Sequence, residues 1–131
     1  MTATYLDSSA IVKLVVEEPE STALRHFLRR RSELVSSALA RTEVLRALLP
    51  GGEDALTRGR EVLRRIELIR MNDRILEAAG VLGPSEVRSL DAIHLATASQ
   101  LGSDLARLVT YDDRMLEGAR LLRIKSVMPG W

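Results

Sequence analysis

Asp7, Glu43, Asp91 and Asp112 are the side chains of this 131-residue chain whose settings point to chemistry. Asp7 follows a short β-favouring stretch, Thr2 to Leu6, and precedes Ser8, Ser9 and the apolar run Ala10 to Val16. Asp112 follows a second such stretch, Arg107 to Thr110. Glu43 falls in the middle of a helical segment, and Asp91 in the first turn of another. Singly, each has an ordinary explanation, because aspartate is common at helix starts and turns and Glu43 could be a solvated partner of Arg46. Gathered in one pocket, four carboxylates repel unless a divalent cation, a shared proton or basic partners offset their charge. A metal is the simplest resolution. Mg²⁺, or Mn²⁺ in its place, prefers oxygen ligands and retains water, one molecule of which can be turned on a phosphodiester. The expected reaction is hydrolysis of an RNA strand, with one ion or two.

Other chemistries lack their residues. No cysteine is present, so disulfides, thiolate metal sites and a cysteine nucleophile are excluded. The chain has no Gly-x-x-x-x-Gly-Lys-Ser/Thr loop, no Gly-x-Gly-x-x-Gly and no Gly-x-Ser-x-Gly turn. His94, three residues after Asp91, could share a metal, but a lone histidine on an apolar helix is more often packed in a core, and it is read so here. His26 is expected to be solvated. Arg29, Arg30 and Arg31 form either a phosphate-contacting surface or an exposed helix end, the latter being favoured. Trp131 is expected to cover a contact with another chain, or to pack on its own sheet.

The elements that must position the acids alternate. Strands are expected at 2–6, 34–35, 67–70, 107–110 and 124–127. Helices are expected at 10–16, 21–31, 38–49, 53–65, 73–82, 89–101 and 114–122. Ser8 and Ser9, Ser36 and Ser37, Asp73 and Ser89 are the expected caps, and Pro50-Gly51-Gly52 and Gly102 the stops. Strands alternating with helices indicate an α/β fold in which a five-stranded parallel sheet is flanked by helices. Such sheets bind ligands at their carboxyl edge, where Asp7 and Asp112 would stand. At 46% hydrophobic residues, residues 1–131 form a single domain with a real core.

The 19 basic and 18 acidic residues leave a net charge of +1. Setting four acids aside in one pocket leaves 19 basic against 14 acidic on the remaining surface, which suits a polyanion. Seventeen of the basic residues are arginine, a bias that phosphate recognition or genome composition explains equally well. No apolar run of about 18 residues is present to span a bilayer, and Met1 to Asp7 lacks a secretory layout, so a cytoplasmic protein that contacts no membrane is expected.

Tyr5-Leu6-Asp7-Ser8-Ser9-Ala10, Arg41-Thr42-Glu43-Val44, Leu90-Asp91-Ala92-Ile93-His94-Leu95-Ala96-Thr97-Ala98 and Val109-Thr110-Tyr111-Asp112 resemble, in this order, the motifs of PIN-domain ribonucleases. The third is especially similar to the VapC-type toxins of toxin-antitoxin pairs. The resemblance implies a PIN-like three-layer fold and a Mg²⁺-dependent endoribonuclease cutting tRNA, rRNA or mRNA. It further implies a homodimer restrained by a small VapB-like antitoxin. Asp7 and Asp91 would then be the principal metal ligands, Glu43 would complete the cluster, and Asp112 would support it or a second ion, the family pattern Thr-x-Asp selecting Asp112 and leaving Asp113 as the cap of the next helix. Ser9 would hydrogen-bond near the metal water. Two rivals remain: a phosphoryl-transfer protein, for which the Asp-x-Asp pattern is missing, and a non-catalytic module whose acidic pocket holds a partner's arginine.

Overall fold

The computed structural model describes residues 2–131. Its strands are β1 (Ala3–Leu6), β2 (Leu34–Ser37), β3 (Glu67–Ile69), β4 (Leu105–Val109) and β5 (Ser126–Val127). They form one parallel sheet in the order β3-β2-β1-β4-β5. The helices are α1 (Ser8–Val15), α2 (Ser21–Leu28), α3 (Leu39–Leu48), α4 (Gly52–Arg64), α5 (Asp73–Gly80), α6 (Ser89–Ser99) and α7 (Asp113–Leu121). The expected α/β architecture is the one observed.

All four residues of β1 are buried, as befits a central strand covered on both faces. Leu6 and Val109 face one helical layer, meeting Ile11 of α1, Leu24 of α2, Val44 and Leu48 of α3 and Leu63 of α4. Ala3, Tyr5, Val35 and Leu108 face the other, meeting Leu95 and Ala98 of α6 and Met115 and Ala119 of α7. Helix α5 joins this second layer by packing Ile75 and Ala79 on Ala92 and Ala96. The alternation of side chains along each strand therefore sorts the sequence into two apolar cores either side of the sheet.

The order of the strands decides where a ligand fits. The chain builds outward from β1 through β2 to β3, then returns to lay β4 on the opposite side of β1. Where the order reverses, the connections leave the sheet in opposite directions and open a crevice at the strands' carboxyl ends. Asp7 is the first residue after β1, and Thr110 the first after β4.

Several expected caps move by a residue. Asp7 itself caps α1 in place of Ser8 or Ser9, its side chain accepting from the Ala10 N–H. Asn72 caps α5 in place of Asp73, and Asp112 caps α7 in place of Asp113. Arg88 occupies the cap position of α6 in place of Ser89, without a side-chain bond. A cap must be the last non-helical residue, so where two capping types adjoin, the path out of the strand chooses between them. Strand β2 runs through Ser36 and Ser37, making them sheet residues, although Ser37 Oγ still accepts from Leu39 N at 3.1 Å. Helix α2 stops at Leu28, and the Arg31 guanidinium folds back to donate to the Phe27 carbonyl. Trp131 is 83% exposed and does not pack on the sheet. Among the described residues no helix is long and apolar enough to cross a membrane.

Candidate active site

Two strand-to-helix junctions are stitched together around Asp7. Its Oδ1 accepts from Ser9 Oγ at 2.6 Å and from Ala10 N at 3.1 Å, and its Oδ2 accepts from Thr110 Oγ at 2.5 Å. Thr110 Oγ in turn accepts from Asp112 N at 3.0 Å, and Ser9 Oγ from Tyr111 N at 2.9 Å. Thus the β1–α1 turn supplies the carboxylate, and the β4–α7 turn holds it in one orientation. The Asp112 carboxylate caps α7 through Oδ1, which accepts from Arg114 N at 2.9 Å.

Glu43 enters from α3. Its Oε1 accepts from Ser8 Oγ at 2.6 Å and from His94 Nε2 at 2.6 Å. The imidazole is 2% exposed, and its Nδ1 lies 2.7 Å from the Tyr5 hydroxyl. Burial raises the Tyr5 phenol well above its ordinary range, so it keeps its proton and donates to Nδ1. That assigns the Nε2–H tautomer, directed at Glu43. Tyr5, His94 and Glu43 therefore form a chain from the sheet interior to the crevice.

The carboxyls are unequal. Burial pushes Asp7 up, against the hydrogen bonds from Ser9 and Thr110, the influence of His94 and the Ala10 N–H. Asp91, on the first turn of α6, is raised by burial and by the charge of Asp112; His94 opposes this, and Asp7 and Glu43 add to it. Burial also works to raise Glu43, but the bonds from His94 and Ser8 outweigh it and hold the carboxyl below its ordinary range. Asp91 thus feels the charge of all three other acids, so residues 84 positions apart along the chain share one field.

Yet among the described residues no three Asp, Glu or His side chains stand close enough to grip one cation directly. Crowded carboxylate oxygen with space between the donors fits Mg²⁺ or Mn²⁺, which hold few protein ligands and keep waters, better than a fully dehydrated cage. Asp7, Glu43, Asp91 and Asp112 would hold a hydrated ion, in part through its waters.

All four acids of the sequence reading lie at this edge, with Ser9 bound to Asp7. Glu43 is half-buried against His94 and Ser8 rather than solvated beside Arg46. His94 is a core residue, as read, but it also bonds to Glu43, a function that reading omitted; its signal was the three-residue spacing from Asp91. Thr110 was legible only as part of Thr110-Tyr111-Asp112. Ser8 and Tyr5 carried no separable signal, since what they touch is 35 and 89 residues away.

Residues 4–121 match the family model described as the PIN domain. Ribonuclease VapC46 of Mycobacterium tuberculosis is 59% identical over 129 residues, covering 98% of this chain and 99% of the relative. Among solved structures, Mycobacterium tuberculosis VapC20, described as a toxin cleaving the sarcin-ricin loop, superposes with a TM-score of 0.77 at 13% identity, over 96% of this chain and 99% of that one. A toxin-antitoxin complex from Klebsiella pneumoniae gives 0.72 at 21% identity, over 96% and 97%. At such identities the structural likeness speaks for the fold.

Proposed function

Since this chain belongs to the PIN-domain family, and within it to the VapC ribonucleases, we propose that it is a Mg²⁺-dependent endoribonuclease, the toxin of a type II toxin-antitoxin pair. The observation that carries the metal dependence is the convergence of Asp7, Glu43, Asp91 and Asp112 at the crevice where the strand order reverses.

When bound, the cation lowers the pKa of an attacking water and neutralises charge developing on the phosphodiester. The protein's part is orientation. Ser9, Thr110 and the Ala10 N–H fix both oxygens of Asp7, leaving a lone pair on Oδ2 directed elsewhere. Ser9 Oγ has given its proton to Asp7 and one lone pair to Tyr111 N–H, and it retains one lone pair for a water. Glu43 takes both its hydrogen bonds on Oε1, so Oε2 is free to face the ion or the attacking water. Asp91 and Asp112 complete the acidic set. Restraint by a VapB-like antitoxin is part of this reading, supported by the toxin-antitoxin complex among the structural neighbours. So is a homodimer. The exposed Leu76 (43%) and Val81 (76%) line one cleft beside α5 and α6 and offer it an apolar face. Light scattering at micromolar concentration tests it, and a monomer there removes it.

The decisive experiment is incubation of purified protein with total cellular RNA in Mg²⁺ or Mn²⁺, in EDTA, and with Asp7→Asn and Asp91→Asn variants. Discrete fragments that need metal and both aspartates are expected. Cleavage undiminished by EDTA or by either variant overturns the mechanism.

A further inference from the structure

The arginines that follow α2 meet a fourth on the sheet. Arg107 of β4 pairs in register with Thr4 of β1 and donates from Nη1 to Thr4 Oγ at 2.7 Å. Thr4 precedes Asp7 by three residues, roughly 10 Å along the strand. Phe27 sits between the guanidinium groups, with Arg31 3.9 Å and Arg107 6.0 Å from its ring centre. Arg30, Arg31 and Arg107, with Thr2, Ser32 and Glu33, line a cleft of about 530 Å³.

Four guanidinium groups gather here around a single carboxylate, and none is held in an ion pair. Among the described residues the ion pairs are Lys13 with Glu18 and Glu20, Arg25 with Glu17 and Arg120 with Glu117; none includes Arg29, Arg30, Arg31 or Arg107. Glu33, the one acid lining the cleft, accepts a hydrogen bond from the Thr2 hydroxyl at 2.5 Å. Arg31 Nε is buried with no partner. Burial, and then the neighbouring charge of Arg31, pull Arg107 below its ordinary range. The bond from Arg31 to the Phe27 carbonyl serves the end of α2, but it occupies one N–H and accounts for neither Arg30 nor Arg107.

We propose that this cleft binds a phosphate group of the RNA strand, away from the acidic crevice, so that the substrate is held toward the amino edge of the sheet as well as at its carboxyl edge. The proposal rests on the ribonuclease reading. Phosphate is the matching anion because the two charged oxygens of a phosphodiester splay tetrahedrally, with its ester oxygens beside them, and so meet guanidinium forks converging from two elements, whereas a carboxylate presents its two oxygens in one plane.

The test is binding of a fluorescent single-stranded RNA to the full chain in EDTA, by anisotropy at several salt concentrations. Arg107→Gln and Arg30→Gln are each expected to weaken binding roughly tenfold and to lower the slope of log affinity against log salt by about 0.7, the loss of one phosphate contact. Arg107→Lys restores charge without the fork and should recover part of the affinity. Arg30 is exposed, so its variant stays folded even if removal of Arg107 disturbs the sheet. Wild-type affinity and slope in Arg30→Gln and Arg107→Gln overturn the proposal. So does polyglutamate competing as well as RNA at equal charge, which would make the partner an acidic peptide. Sodium phosphate that raises the melting temperature through these arginines, while RNA binds the variants normally, assigns the cleft to free phosphate and also overturns it. Because binding is read without metal or cleavage, a protein that binds through these arginines but cuts nothing sinks the nuclease reading alone.

Discussion

Thr110→Val isolates what one hydroxyl does at the junction of the two strands. Valine keeps the shape of a residue that is 0% exposed but removes the donor to Asp7 Oδ2 and the acceptor for Asp112 N. A hydrogen bond to a charged group is worth about 1.5–3 kcal/mol, and a buried N–H left without a partner costs about 1–3 kcal/mol. The two losses share one side chain and are not additive, so a destabilisation of roughly 2–4 kcal/mol is expected, on the order of a 10 °C fall in melting temperature for a domain of this size. The catalytic consequence has a definite sign. The Thr110 bond is one of the groups holding Asp7 down against burial, so its removal raises that carboxyl further. A larger protonated fraction at a given pH means that the acid limb of RNA cleavage moves to higher pH. Thr110→Ser should restore the limb even if part of the packing stays lost. The measurement is the pH–rate profile of RNA cleavage in Mg²⁺ for the three proteins, beside their melting curves. A Thr110→Val protein that melts early but keeps the wild-type acid limb would refute the reasoning, since the hydroxyl would then serve packing alone.

Asp7→Asn should lose cleavage yet gain stability in EDTA. Because the folded-state pKa of Asp7 is raised, the folded chain holds its proton to higher pH than the unfolded chain; stability therefore falls as pH rises from about 4 through the folded pKa. Calorimetry should find the variant above wild type at pH 7, with the gap closing near pH 4; a wild type equally stable at pH 7 contradicts the burial cost. Tyr5→Phe leaves the Nδ1 of a buried imidazole without its phenol, so roughly 1–3 kcal/mol of stability and about 10–100-fold in activity should be lost, while unchanged cleavage would detach His94 from Glu43. Gly118→Ala would place a Cβ 2.7 Å from Leu95 Cδ1, where α7 crosses α6, and should cost about 1–3 kcal/mol in urea unfolding with the RNA-cleavage pH profile intact. A variant as stable as wild type would show that Leu95 yields freely.

What the sequence by itself determined was local or periodic. Alternating strand and helix patterns specified a parallel sheet between two helical layers, because each helix had one apolar face to bury and the strands had two, and the junction after each strand marked where an acid could stand. The motifs around Asp7, Glu43, Asp91 and Asp112 were readable because their neighbours also carry the turn and the cap. Tertiary structure decided the rest. Whether Asp112 or Asp113 caps α7 depended on the path leaving β4, and whether His94 was filler or partner depended on α3 laying Glu43 across it. The arginines after α2 looked like a solvated helix end until β4 brought Arg107 to the same ring of Phe27. In each case the deciding contact joins side chains far apart along the chain. Periodicity has no access to such pairs; the crossing of strands beside β1 creates them.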